Sequence, residues 1–144
     1  MNILTIDPVE KENKFIDVVY AKSVILEVKE ADNMMAVYVN ADNDHGPNSS
    51  TAYQHHMNGF GAGVILNDII DITPLLGQLP EDFKQDIVGD NKDDYLTIIC
   101  SNFESEGKFV FTLKIDDDAE KSFRFDGNLE KRRTCQLHFK MKRQ

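Results

Sequence analysis

The chain has 144 residues, of which 41% are hydrophobic and 28% charged. This length is close to the commonest domain size and the composition is typical of a globular protein, so we expect one domain covering residues 1–144. Its apolar runs are far shorter than the ~20 residues that a membrane-spanning helix needs, and its N-terminus lacks the features of a signal peptide. These observations favour a cytoplasmic protein.

The N-terminal part predicts a β-hairpin. Residues 7–10 combine an acidic N-cap, a proline and a glutamate, which is typical of a helix start, while residues 15–20 fit either a helix or a strand. Residues 22–30 alternate between apolar and polar side chains, and residues 34–40 follow as a return strand after a short turn.

The middle of the chain predicts helices. Ser50 and Thr51 are candidate N-caps of a short helix that runs through Met57, and the spacing of apolar residues over 64–72 also suits a helix. Thr73-Pro74 resembles another helix start. Residues 80–88 give the clearest helical pattern, with a proline at the start and a glycine directly after the end.

The C-terminal part, residues 93–144, predicts an antiparallel meander. Residues 108–115 and 133–142 alternate cleanly, and residues 95–101 and 122–125 are shorter strand candidates. The expected fold class is therefore α+β. We expect one antiparallel sheet of about 5–7 strands, an N-terminal hairpin plus this meander, with two or three helices packed on one face.

The two cysteines, Cys100 and Cys135, both lie in apolar, strand-like runs. This placement is typical of buried free thiols, whose raised pKa makes them poor nucleophiles. Their number and spacing fit neither a disulfide framework nor a zinc site.

The sequence offers one weak candidate for metal binding or catalysis. His45, His55 and His56 lie close together, with Asp42 and Asp44 alongside. However, adjacent histidines cannot point the same way on a helix or a strand, and no spacing brings two imidazoles to one helical face.

Other catalytic and ligand-binding patterns also fail. Residues 42–46 do not fit a calcium loop, the glycine-rich residues 59–63 have no nearby basic residue to bind phosphate, and no nucleophile-elbow motif occurs. We therefore expect no catalytic residues, no metal and no cofactor. A small enzyme or metal-binding protein that uses the histidines remains the alternative.

The charge is strongly asymmetric. The formal net charge is −9, and residues 131–144 contain six basic residues and no acid, so residues 1–130 carry 10 basic against 25 acidic residues, a net −15. Such a charge disfavours nucleic acid and membrane surfaces and favours a basic protein partner. The alternative is that the charge only keeps the protein soluble.

Acidic residues are grouped near predicted turns and strand ends, where they are candidates for contact with a basic partner. If neighbouring turns lie at the same end of the sheet, their charges add. The candidate partner-binding residues are Asp90, Asp93, Asp94, Glu104, Glu106, Asp116, Asp117, Asp118 and Glu120.

This profile resembles that of small bacterial inhibitor proteins, including the immunity proteins of secreted toxins. The resemblance is one of composition: a small, acidic chain without catalytic motifs. It implies a non-catalytic, stoichiometric inhibitor (an antitoxin) that covers the active site of a cationic toxin such as a nuclease. A further alternative is an accessory subunit whose strand at residues 133–142 adds to a partner's sheet edge.

Overall fold

A computed structural model describes residues 1–5, 15–39, 53–58, 65–77, 94–104 and 106–144, and these residues are almost entirely β-structure. One turn of 3₁₀ helix, Thr73–Leu75, follows the sixth strand. The strands are β1 (Asn2–Ile3), β2 (Phe15–Tyr20), β3 (Val24–Ala31), β4 (Met34–Val39), β5 (Tyr53–Asn58), β6 (Ile65–Asp71), β7 (Asp94–Asn102), β8 (Lys108–Ile115), β9 (Phe123–Asn128) and β10 (Arg133–Arg143).

The described strands form two five-stranded sheets. Sheet A has the order β1-β9-β8-β3-β6, and sheet B has the order β2-β10-β7-β4-β5. Neighbouring strands are antiparallel except for the β1–β9 and β2–β10 pairs, which are parallel. Along the described strands the chain changes sheet seven times, for example between β3 and β4 and between β7 and β8, and both sheets contribute to the same core.

The core lies between the two sheets, because alternate residues of each long strand point toward the opposite sheet. Phe111 of β8 stacks on Phe125 of β9 with ring centroids 5.4 Å apart. Phe123 of sheet A meets Phe139 of sheet B edge-on at 5.7 Å, a direct contact between the sheets. Burial of these aromatic side chains supplies much of the driving force for packing the sheets together.

The predicted α+β class, with two or three helices packed on one sheet, is wrong. Of the residues expected in helices at 51–57 and 64–72, residues 53–57 belong to strand β5 and residues 65–71 form strand β6, and the predicted helix start at Thr73-Pro74 lies in the 3₁₀ turn. The helix start at residues 7–10 and the helix at 80–88 lie outside the described residues.

Strand β6 was mistaken for a helix because its alternation is interrupted. Asn67 has a positive φ of 47°, and the pairing of β3 with β6 shifts register between Val28 and Glu30. Ile70 is buried and its neighbour Ile69 is 66% exposed, as expected for consecutive residues of a strand. A bulged strand spaces its apolar residues unevenly, and over a short segment that spacing resembles a helical period.

The predicted N-terminal hairpin is also wrong. Its two strands exist as β3 and β4, but β3 pairs with β6 and β8 in sheet A, whereas β4 pairs with β5 and β7 in sheet B. Between them Asp32 donates its backbone N–H to the carbonyl of Lys108 at 2.9 Å. Alternation shows which residues face the core, but it does not identify the neighbouring strand.

The predicted strands of the C-terminal part are confirmed as β7, β8, β9 and β10. They do not form one meander, however, since β8 and β9 belong to sheet A and β7 and β10 to sheet B. Five apolar side chains of β8 and β10 nevertheless share one core across the two sheets. These are Phe109, Phe111, Leu113, Leu137 and Phe139.

Candidate functional site

The turn between β8 and β9 holds four of the predicted partner-binding residues. Asp116 and Asp117 both have positive φ, 54° and 52°, and the backbone N–H of Asp118 donates to the carbonyl of Ile115 at 2.9 Å. This is the geometry of a type I′ turn, in which aspartate is tolerated better than most residues. The Ser122 hydroxyl donates to the carbonyl of Asp118 at 2.7 Å, which ties the end of the turn to its centre.

The carboxylate of Asp116 is turned into the protein. It accepts hydrogen bonds from the backbone N–H groups of Ala21, Lys22 and Ser23 at 2.6–3.0 Å. Lys121 Nζ lies 3.2 Å away, and the Asp116 side chain is only 6% exposed. Asp116 therefore holds the β2–β3 connection against the β8–β9 turn.

These contacts also control the ionisation of Asp116. Burial alone would raise the pKa of this carboxyl, but the backbone donors of Lys22, Ser23 and Ala21, together with Lys121, outweigh burial and hold it well below its usual range. The group is anionic in the folded protein, and its charge is used internally.

The other three acids of this turn, Asp117, Asp118 and Glu120, form what we call the acidic turn. The Asp117 side chain is 87% exposed and lies 3.4 Å from Lys114 Nζ, and Glu120 is exposed. Asp118 is partly buried and accepts the backbone N–H of Glu120 at 3.0 Å, which orders the segment. The acidic turn therefore presents negative charge on a well-defined backbone.

Lys114 connects the acidic turn to the outer face of sheet A. Its Nζ lies 3.4 Å from Glu27 as well as from Asp117, and the charge of Glu27, followed by the contacts with Asp117, raises the pKa of Lys114. Glu27 is the register partner of Ile69, a largely exposed apolar residue of β6. The negative turn is thus continuous with an exposed apolar side chain.

A shallow cleft of about 330 Å³ lies on the same outer face, at the β3 bulge. Its lining combines both signs of charge with apolar surface, including Glu27, Lys29, Asp68, Ile69 and Arg124. The volume is at the lower end of the range for small-ligand sites, enough to receive one or two side chains of a partner.

The remaining predicted acids near β7 are not part of the acidic turn. Asp94, the first residue of β7, is only 5% exposed, and its carboxylate accepts the backbone N–H of Gly77 at 2.8 Å. It is therefore committed to an internal contact. Asp90 and Asp93 lie outside the described residues.

Glu104 and Glu106 lie at the opposite end of the sandwich. They precede β8 and the acidic turn follows it, so eight strand residues, about 25 Å, separate the two groups. Glu104 accepts hydrogen bonds from the Arg132 guanidinium at 3.2–3.3 Å, and Arg133 lies 3.9 Å from Glu130. Acids and bases alternate at this end, and Glu104 and Glu106 do not pool their charge with the acidic turn.

The structure also locates two of the three candidate histidines. His55 and His56 are consecutive residues of β5, opposite Val37 and Ala36 of β4, and consecutive positions of a strand belong to opposite faces. His45 lies outside the described residues. Within the described part of the chain, no group of three or more His, Cys, Asp or Glu residues is placed to hold a metal ion.

The fourth histidine of the chain, which is not among the three candidates, is buried. His138 of β10 is 5% exposed, its Nδ1 lies 3.0 Å from Thr97 Oγ1, and burial lowers its pKa. Ala36 and Tyr38, on the same outer face of sheet B, are also buried. The alternation of apolar and polar residues in the sequence indicates the face of the strand on which each residue lies. It does not show whether other parts of the protein bury that face.

Comparison of the chain with protein-family models, curated proteins and solved structures found no match. In the described segments, no helix is long and apolar enough to cross a membrane.

Proposed function

We propose that this protein is a non-catalytic, stoichiometric inhibitor that binds a basic toxin, such as a nuclease, in the cytoplasm and covers its active site. The observation that carries the proposal is the acidic turn, Asp117, Asp118 and Glu120, displayed on a backbone that Asp116 holds in place. It belongs to a stretch, residues 1–130, whose net charge is −15.

The arrangement supports docking because it combines charge with preorganisation. Complementary charge mainly accelerates encounter and sets orientation, while desolvated apolar or aromatic contacts supply much of the affinity. A turn that is already ordered loses little conformational entropy on binding. We therefore assign the docking face to the acidic turn together with the adjacent outer face of sheet A, where Ile69 provides an apolar contact.

An inhibition titration tests the proposal. The probe is the protein encoded by the gene immediately upstream, purified and assayed for nuclease activity while this chain is added in increasing amounts. We expect activity to fall linearly and to vanish at one equivalent, and co-expression to protect cells from the toxin. An upstream product that is not toxic, or whose activity is unchanged at a large excess of this chain, would contradict the proposal.

The histidines offer a direct check on the enzyme alternative. We expect the double variant His55→Ala/His56→Ala to inhibit as well as the wild type, because neither residue belongs to the docking face. Elemental analysis of both purified proteins provides the control. Stoichiometric zinc in the wild type that is lost in the double variant would favour the metal-binding alternative instead.

The accessory-subunit alternative has less support from the topology than the inhibitor proposal. Strand β10 is hydrogen-bonded to β2 on one side and to β7 on the other. Pairing with β2 covers residues 138–143 of β10, so over that part of the strand both sides are already used within sheet B, which makes strand addition to a partner a less favoured alternative.

A further inference from the structure

The two cysteines of the chain face each other across the centre of sheet B. Cys100 of β7 is the direct register partner of Cys135 of β10. Both side chains belong to the buried core, at 0% and 5% exposure, and both are free thiols. The apolar context of each cysteine was visible in the sequence, but their pairing required the strand register.

Their backbone separation suits a covalent bridge. Directly opposed residues of an antiparallel pair have Cα atoms about 4.5 or 5.5 Å apart, and disulfides span Cα distances of about 4.4–6.8 Å. The two side chains also project to the same face of the sheet. The register is continuous from Arg133↔Asn102 to Met141↔Asp94, so this juxtaposition is fixed by pairing on both sides.

We propose that Cys100 and Cys135 are a modification site, at which an intramolecular disulfide forms across β7 and β10 when the protein folds in the presence of a disulfide oxidant such as glutathione disulfide. This inference is independent of the proposed inhibitor function. It concerns a pair of residues on the core side of sheet B, whereas the docking face lies on the outside of sheet A.

The reaction is a double thiol–disulfide exchange. One protein thiolate attacks a sulfur of glutathione disulfide, which breaks that S–S bond, releases one glutathione thiolate and leaves a mixed disulfide. The second protein thiolate attacks the protein sulfur of the mixed disulfide, forms the Cys100–Cys135 bond and releases the second glutathione. Two protein thiols lose their protons and are oxidised, and one glutathione disulfide is reduced to two glutathione molecules.

The packing determines when this exchange takes place. The neighbouring Cys135 thiol and burial raise the pKa of Cys100, so little thiolate exists in the folded protein, and an oxidant cannot reach either sulfur. The bond therefore forms before β7 and β10 have paired. In the folded protein, the rate of thiol–disulfide exchange is limited by transient local unfolding of these strands. Once formed, the bond is protected by the same burial.

The bridge would constrain a long loop of the unfolded chain, residues 101–134, which includes β8 and β9. Closure of a loop of this length restricts the unfolded ensemble and stabilises the folded state. The disulfide raises the equilibrium constant for folding by some factor. By thermodynamic linkage, folding raises the equilibrium constant for disulfide formation by the same factor. We expect that factor to be about a hundredfold or more, and the thermal midpoint of the oxidised protein to lie about 10 °C above that of the reduced protein.

The test measures the disulfide equilibrium of the full chain in glutathione buffers of known ratio, once in native buffer after refolding and once in urea. Mass spectrometry of the quenched protein counts bridged, glutathione-bound and reduced forms. We expect the native state to form the bridge at a glutathione ratio about a hundredfold more reducing than urea requires. An equal or weaker tendency in native buffer would overturn the proposal.

Two further measurements make the result unambiguous. The single variants Cys100→Ala and Cys135→Ala should give only glutathione adducts in urea, which identifies the bridge as intramolecular. A thermal midpoint of the bridged protein equal to or below that of the reduced protein would also contradict the inference, because it would show that the native register does not accommodate the bond.

Discussion

At the scale of single residues, the three consecutive aspartates after β8 have different roles. Asp116 accepts three backbone N–H groups of the β2–β3 connection, Asp117 is exposed beside Lys114, and Asp118 orders the backbone toward Glu120. Their clustering near a turn was visible in the sequence. The role of Asp116 was not, because the backbone groups that donate to it lie more than ninety positions away along the chain.

Replacement of Asp116 should cost stability, whereas replacement of its neighbour should not. We expect Asp116→Asn to lower the free energy of unfolding by about 1.5–3 kcal/mol, because a charged acceptor of three N–H groups is lost. The matched control Asp117→Asn removes the same charge from an exposed position and should change stability by less than about 0.5 kcal/mol. Urea denaturation at pH 7 measures both, and equal effects would contradict the assignment.

The same carboxylate predicts a pH dependence. Its pKa is lower in the folded protein than the value of about 3.9 expected in the unfolded chain. Above that unfolded value Asp116 is ionised in both states and its stabilisation is fully present. As the pH falls below about 4, the unfolded chain binds a proton that the folded protein does not, so stability is lost.

Unfolding free energies of the wild type and Asp116→Asn, measured from pH 7 to pH 2, check this pH dependence. The difference between the two proteins should be constant at neutral pH and should shrink as the pH falls below about 4. A difference that stays constant down to pH 2 would show that the Asp116 carboxylate does not have a depressed pKa.

Two glycines with nearly equal φ provide a second comparison. Gly107 and Gly77 have φ of 76° and 78°. A Cβ at Gly107 would overlap the carbonyl oxygen of Leu129 and the side chain of Asn102, whereas no atom of the described residues would lie within 4 Å of a Cβ at Gly77. We expect Gly77→Ala to cost about 1–2 kcal/mol, the strain of a left-handed alanine. Gly107→Ala should cost clearly more, measured as the shift in urea midpoint. Equal shifts would contradict the close approach at Gly107.

At the scale of elements, clean alternation was a reliable guide and irregular alternation was not. Residues 108–115 and 133–142 follow a period of two along their length and are strands β8 and β10. Strand β6, with the positive φ of Asn67 and the register shift opposite it, gave a pattern that resembled a helix. The local sequence pattern predicts which face of a strand each residue occupies. The sheet to which the strand belongs depends instead on contacts between strands that are distant in the sequence.

The shared core predicts a large effect at one position of β8. Phe111 is 1% exposed and stacks on Phe125, so Phe111→Ala should cost about 3–5 kcal/mol. The adjacent variant Thr112→Ala changes a partly exposed residue and should cost about 1 kcal/mol or less. Denaturant unfolding of both proteins tests the prediction. Comparable losses would mean that β8 does not present Phe111 to the core.

At the scale of the whole molecule, the sequence shows the amount of charge but not its placement. Those predicted partner-binding acids that the structure describes separate into an exposed turn, internally bonded carboxylates such as Asp116 and Asp94, and an end where Glu104 pairs with Arg132. The length of β8 keeps Glu104 and Glu106 away from the acidic turn. The docking hypothesis therefore rests on fewer residues than the composition suggests.

The most direct test of this account is the association rate constant with the basic partner, measured at 0.1 M and 1 M salt for three proteins. The docking variant is Asp117→Asn/Asp118→Asn/Glu120→Gln, which leaves Asp116 and the fold intact. The matched control, Glu104→Gln/Glu106→Gln/Glu130→Gln, removes the same charge from the opposite end.

At 0.1 M salt we expect the docking variant to associate about tenfold more slowly than the wild type, with a smaller change in dissociation rate, and the control to resemble the wild type. The difference in association rate between the docking variant and the wild type should disappear at 1 M salt, because the Debye length there is only about 3 Å. A docking variant that associates at the wild-type rate at 0.1 M, or a control that slows equally, would contradict docking through the acidic turn.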